Sequence, residues 1–271
     1  MSVAQIENVA VVYEDAGQGI PLVLVHGHPF DRSMWREQVR AFSAHYRVIT
    51  FDLRGYGGTT VIPGKTLLED FARDLAGLLD YLNVTDIVLG GLSMGGQIVL
   101  EFYRLFPQRV RALILADTFA QLDTEEGRQA RYDMAERLMK EGMLAYADEV
   151  LPKMIAPRTI EERPEVAAHV LVMMRGTSPA GAAAALRGRS ERRDYTPLLP
   201  EIKVPTLIVV GSDDEFTPVR DAEFMRDRIP NSRLAVIKDA GHMPNLERPD
   251  EFNRAVEEFL RNNRTNDTRK S

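Results

Sequence analysis

Residues Gly91-Leu92-Ser93-Met94-Gly95 place a serine between glycines, directly after the apolar run Asp86-Ile87-Val88-Leu89-Gly90. The stretch that follows, Gln97-Ile98-Val99-Leu100-Glu101-Phe102, has helical character. A serine on a strand-to-helix turn is held in a strained backbone that pushes its hydroxyl out above the sheet. The following helix aims its N-terminal N–H groups at the same spot, where negative charge is stabilised. The pentapeptide alone arises by chance in a chain with 19 glycines. Its place between strand and helix is what makes Ser93 a candidate nucleophile.

A nucleophilic serine needs a base, and the base needs an orienting carboxylate. The chain has five histidines: His26, His28, His45, His169 and His242. His242 stands out, because Asp239-Ala240-Gly241-His242-Met243-Pro244 is a Gly/Pro-containing loop directly after the apolar run Leu234-Ala235-Val236-Ile237. Such a loop suits chemistry better than core packing. The acid is expected at another strand end. Val204-Pro205-Thr206-Leu207-Ile208-Val209-Val210 reads as a buried strand, and Gly211-Ser212-Asp213-Asp214-Glu215-Phe216-Thr217-Pro218 follows it. Chemistry alone does not separate the three neighbouring acids. Asp117, after Ala112-Leu113-Ile114-Leu115-Ala116, is the fallback.

These residues need a frame. Strands are expected at 9–13, 21–25, 47–51, 86–90, 112–116, 205–210 and 234–237. Between the second and third lies a helix with Trp35, Val39 and Phe42. Leu67, Leu68, Phe71, Leu75, Leu78, Leu79 and Leu82 share one face at helical spacing. Apolar strands alternating with helices predict a mostly parallel sheet covered on both faces, with function at the carboxyl ends of its strands. The alternation breaks between about 118 and 203, where helix-like stretches fall near 124–141, 143–153, 161–175 and 179–189. An insertion there can fold over the serine. Its Met134, Leu138, Met143, Leu144, Met154, Met173 and Met174 are candidate pocket-wall residues, though most of them are expected to hold the inserted helices together. A methionine-rich wall would suit adaptable binding.

Taken together, the chain resembles an α/β-hydrolase over nearly its whole length. The matching blocks are His26-Gly27-His28-Pro29, Asp52-Leu53-Arg54-Gly55-Tyr56-Gly57, Gly91-Leu92-Ser93-Met94-Gly95-Gly96, Gly211-Ser212-Asp213-Asp214 to Pro218, and Gly241-His242 to Glu247-Arg248-Pro249. Within the family it is most similar to the cofactor-free esterase, haloperoxidase-like and 3-oxoadipate enol-lactonase group. The resemblance implies an α/β-hydrolase fold, a mostly parallel doubly wound sheet with a helical cap inserted after the sixth strand. It divides the chain into a core over 1–117 and 204–262 and a cap over 118–203; the polar composition of 263–271 predicts a frayed tail. The resemblance selects Asp214 as the acid of a Ser93–His242–Asp214 triad. It assigns the oxyanion hole to the backbone N–H groups of Met94 and His28, Pro29 having none. The His28 imidazole either adds a hydrogen-bonding group to the acyl site or points aside. Phe30, Met134, Met143 and Met173 are expected at the substrate pocket. His26, Asp52 and Arg54 read as scaffold.

With 44% hydrophobic and 27% charged residues the chain can bury a sizeable core. A net charge of −6 leaves no basic footprint for nucleic acid. With no cysteine, thiolate catalysis and Cys-based metal sites are excluded. No His/Asp/Glu group has metal-ligand spacing, and neither a phosphate loop nor a dinucleotide fingerprint is present, so no metal and no cofactor is expected. No signal peptide and no membrane-spanning run is visible, and the expected setting is cytoplasmic, with a monomer or small homo-oligomer. The leading reading is an esterase for small to medium acyl groups working through an acyl-enzyme. The alternative is an enol-lactonase acting on an acidic lactone, which would need cationic insertion residues at the pocket. Arg175, Arg187, Arg189, Arg192 and Arg193 are available for that. Peroxide can replace water as acyl acceptor in either. A third reading, a hydrolase-fold receptor, would show single acylation in place of turnover.

Overall fold

The computed structural model describes residues 1–264. Eight strands form one sheet: β1 Ser2–Ile6, β2 Val9–Ala16, β3 Pro21–Val25, β4 Arg47–Phe51, β5 Ile87–Leu92, β6 Val110–Ala116, β7 Thr206–Gly211 and β8 Ser232–Ile237. Their order is β1-β2-β4-β3-β5-β6-β7-β8. β1–β2 and β2–β4 pair antiparallel and every other pair is parallel. The helices are α1 Arg36–Phe42, α2 Leu68–Tyr81, α3 Met94–Leu105, α4 Glu125–Glu141, α5 Leu144–Met154, α6 Pro157–Glu162, α7 Pro164–Gly176, α8 Pro179–Ser190, α9 Val219–Arg226, α10 Pro244–Glu247 and α11 Pro249–Arg264.

The pleat explains the layers. Along β3, Val23 and Val25 enter one apolar cluster with α2 and α3, while Leu22 and Leu24 enter a second with Phe252, Val256 and Phe259 of α11. On α2 the expected stripe is buried at Leu68, Phe71, Leu75, Leu78 and Leu79. Leu67 is outside the helix and 38% exposed, because it precedes the first turn. The strand β1 was not expected. Only Ala4 of its five residues is fully buried, so its alternation carries little signal.

Five helices, α4 to α8, lie between β6 and β7. The single helix expected at 161–175 is two. Arg163 takes φ −134° and ψ 62°, and Pro164 starts α7, as the steric conflict before proline requires. The insertion is not independent of the sheet. Met154, Val170, Met173 and Met174 share the cluster that holds Leu22 and Leu24. A smaller cluster of Ala135, Leu138, Met143, Tyr146, Ala182 and Leu186 is internal to it. Of the tail expected over 263–271, the first two residues end α11 and the rest lies outside the described residues. No described helix is long and apolar enough to cross a membrane.

Candidate active site

Four parallel strands deliver the candidate residues to one edge of the sheet. β5 ends at Leu92, and Ser93 turns the chain into α3 with φ 58° and ψ −119°. This strained conformation costs on the order of 1–3 kcal/mol and is held from outside. Ser93 N–H donates to Ala116 O at 3.0 Å. Its carbonyl accepts from Thr118 Oγ1 at 2.8 Å and from Gln97 N–H at 3.2 Å. At Gly95 a Cβ would lie 2.2 Å from Val25 O. Only glycine therefore lets α3 start hard against the end of β3, where the His26–Pro29 turn begins.

His242 follows β8 and Asp214 follows β7. Asp214 Oδ2 accepts from His242 Nδ1 at 2.8 Å. Its Oδ1 accepts from Phe216 N–H at 2.8 Å and Thr217 N–H at 3.1 Å, and the Thr217 hydroxyl donates to Oδ2. Burial works to raise the Asp214 pKa. The adjoining His242 ring and these hydrogen bonds outweigh it, holding the carboxyl well below the usual carboxylate range. Asp213 and Glu215 are exposed and make no bond to His242. A residue that the sequence reading passed over holds the histidine loop. The carboxylate of fully buried Glu247 accepts from Gly241 N–H at 2.9 Å and Met243 N–H at 3.2 Å on either side of His242. It also accepts from Ala156 N–H at 2.8 Å and Thr159 Oγ1 at 2.7 Å in the insertion. The only hint was its place in the Gly241-His242 to Pro249 block.

Asp117, at the end of β6, is the neighbour of this pair. One of its oxygens, one of Asp214's and a His242 ring nitrogen lie within 4.8 Å of one another. Spacing along the sequence could not show this cluster, since each member comes from a different strand end. Chemically it could hold a cation. However, Asp214 and His242 already bond each other, and Asp117 Oδ1 accepts Gly211 N–H at 2.9 Å. Asp117 Oδ2 is buried without a partner. Burial, then the Asp214 charge, push the Asp117 pKa well up.

Ser93 and His242 line one cavity of about 520 Å³, within the size range of small-molecule sites. His28 lines it as well. Its Nδ1 pairs with Tyr56 Oη at 2.8 Å, and its buried Nε2 has no partner. Burial, then the charges of Arg189 and Arg131, lower its pKa well below the ordinary value, so the ring is neutral. The His28 and Met94 backbone N–H groups make no bond to a protein acceptor among the described residues. His26 bridges two turns, with Nδ1 to Gly27 O at 2.8 Å and Nε2 accepting Leu53 N–H at 3.0 Å. Asp52 accepts from Arg32 and Gly58, and Arg54 pairs with Asp74.

The insertion supplies the opposite wall, including Met134, Tyr146, Met154 and Arg189. Phe30, Met143 and Met173, expected at the pocket, do not line it. Phe30 and Met173 belong to the second core cluster, and Met143 to the cluster internal to the insertion. A helix period cannot tell a residue that faces a cavity from one that faces the next helix. Phe119 and Phe216, which do line it, sit on strand-end loops with no period at all.

A family model described as alpha/beta hydrolase fold matches residues 20–249. The 3-oxoadipate enol-lactonase 2 of Acinetobacter baylyi is 30% identical, with 94% of each chain covered. Among solved structures, a thermophilic esterase from Thermogutta terrifontis in a malate-bound form superposes with TM-score 0.93, 42% identity and 94% of each chain covered. The enol-lactonase of Burkholderia xenovorans LB400 gives 0.89 at 30% identity, covering 96% of this chain and 99% of its own. This chain therefore belongs to the alpha/beta hydrolase family, as a hydrolase of the esterase or lactonase kind.

Proposed function

We propose that the protein hydrolyses carboxylic esters of small to medium acyl groups through an acyl-enzyme on Ser93. The observation that carries this is the 2.8 Å bond from His242 Nδ1 to a buried carboxylate, with the same ring lining a cavity beside the strained Ser93. Asp214 occupies Nδ1 and leaves Nε2 as the base. Ser93 Oγ attacks the carbonyl carbon as its proton passes to His242. The His28 and Met94 N–H groups receive the oxyanion, each donor being worth about 2.7–4 kcal/mol in such sites. Collapse expels the alcohol with the histidine's proton. Water then repeats the sequence and frees the acid.

A second reading is opening of an enol-lactone by the same steps. Three similar proteins near 30% identity bear that name, and a cyclic ester needs no other chemistry. Turnover of p-nitrophenyl acetate, butyrate and octanoate beside a muconolactone-derived enol-lactone separates the two. A chain-length optimum with slow lactone opening supports the esterase, and the reverse supports the lactonase. Ser93→Ala should remove activity on either, by about 10⁶-fold in kcat. Retained turnover would refute the nucleophile.

A further inference from the structure

Of the five arginines that the sequence offered for an acidic substrate, four are engaged elsewhere. Arg175 pairs with Asp148 and Arg187 with Glu136 at the surface. Arg193 is half exposed near Glu101, and Arg192 reaches Asp123 at 3.3 Å. Arg189 differs. It is 7% exposed, lines the cavity that contains Ser93, and has no ion pair among the described residues. Its one side-chain bond runs from Nε to Gln97 Oε1 at 3.1 Å.

That bond fixes where the guanidinium stands. Gln97 is four residues beyond Ser93 on α3, about 6 Å along the helix axis. The helix carrying Arg189 is clamped too. A Cβ at Gly188 would lie 1.6 Å from Thr66 O, so α8 rests directly on that backbone. The charge around it is unbalanced. Arg131 also lines the cavity and holds both oxygens of Asp123, at 2.9 and 3.1 Å. Arg131 and Arg192 both pair with the one carboxylate of Asp123, and Arg189, beside them, does not. Burial and repulsion from Arg131 and Arg192 oppose the charged form of Arg189. A buried cation without a counter-charge is costly, and the open side of this one faces the cavity.

We propose that Arg189 receives a carboxylate carried by the substrate, so that the natural esters or lactones are anionic: half-esters of short dicarboxylic acids, or lactones bearing an acid arm. This rests on the Ser93 hydrolase reading. The carboxylate completes the charge set of the wall. Held by a guanidinium that lines the same cavity as Ser93, it also holds the scissile carbonyl towards the nucleophile. Arg131, already committed to Asp123, adds field without having to move.

The test compares 4-nitrophenyl hemisuccinate with its neutral methyl diester, in the wild type, Arg189→Met, Arg189→Lys and Ser93→Ala. A charge-assisted pair predicts that the wild type prefers the hemisuccinate by about 10- to 100-fold in kcat/KM. Arg189→Met should erase that ratio, chiefly through KM, and Arg189→Lys should restore part of it. Should Arg189→Met misfold, the wild type alone decides. Adipate should inhibit diester turnover competitively, and adipamide about tenfold more weakly. Equal use of both esters, or equal inhibition by adipate and adipamide, overturns the anion site while leaving the hydrolase reading intact. Turnover of either ester by Ser93→Ala would instead refute the hydrolase reading itself.

Discussion

The ends of β6 and β7 each carry an aspartate at the edge of the same site, and they behave in opposite ways. Asp214 is met by two backbone N–H groups, a threonine hydroxyl and the His242 ring. Its charged form is favoured. Asp117 is equally buried but receives one backbone N–H, and its second oxygen has no partner. Its neutral form is favoured, by burial and then by the Asp214 charge. Both carboxyls are buried, and the adjoining His242 ring together with the extra donors favours the charged form at Asp214 but not at Asp117. Two ionised carboxylates this close would repel each other. A single charge beside His242 is the arrangement in which that charge serves the imidazole.

The largest expected effect separates the two by activity. Asp214→Asn should lower kcat by about 10⁴-fold, because the imidazole loses its orienting anion. Asp117→Asn should stay within about tenfold of the wild type in kcat. A comparable loss in both variants would make the pair a single unit and break the contrast. Glu247→Leu should come next. It leaves the Gly241, Met243 and Ala156 N–H groups without their acceptor, at a cost of about 3 kcal/mol or more in unfolding free energy. An unchanged thermal midpoint would remove Glu247 from the account.

Smaller effects concern pH. An unfolded aspartate ionises near pH 3.9. Asp117 titrates above that in the native state, so the native protein binds the extra proton. Stability from this group is therefore full below about pH 3.9 and is lost as pH rises through its native value. Asp214 has the opposite sign. Its contribution is full above about pH 3.9 and is lost as pH falls towards its lowered native value. Denaturant unfolding across pH should show Asp117→Asn flattening the alkaline decline and gaining about 1 kcal/mol at neutral pH. Asp214→Asn should flatten the acid decline. The same slope in both variants would contradict the assignment. The smallest effect is expected at Asp213, which is exposed and whose carboxylate accepts from Ser212 Oγ. Asp213→Asn should change kcat by less than about twofold and stability by less than about 0.5 kcal/mol.

What could be read from the sequence follows the same division. Strand ends carry their residues in glycine-bounded turns directly after apolar runs, so Ser93 and His242 could be picked out as candidates and their shared edge foreseen, whereas Asp214 stood apart from its acidic neighbours only through the family resemblance. Gln97 and the arginines could not be ranked, because nothing in local spacing says that Arg189 reaches Gln97 across 92 residues. Met143 and Met173 were misplaced for a related reason. In a helix wrapped by other helices every apolar face is satisfied, and only the three-dimensional packing left Met134 and Met154 on the cavity while Met143 and Met173 turned inward. β1 was missed because an edge strand with one fully buried residue has almost no pattern to read.

The most direct test of the central claim is to react the wild type with an aryl fluorophosphonate and locate the label by peptide mass mapping, while following ester turnover. The account predicts a single phosphonyl group on Ser93 per chain and a loss of activity that tracks labelling in proportion. Label on another residue, or turnover that survives complete labelling of Ser93, would contradict it.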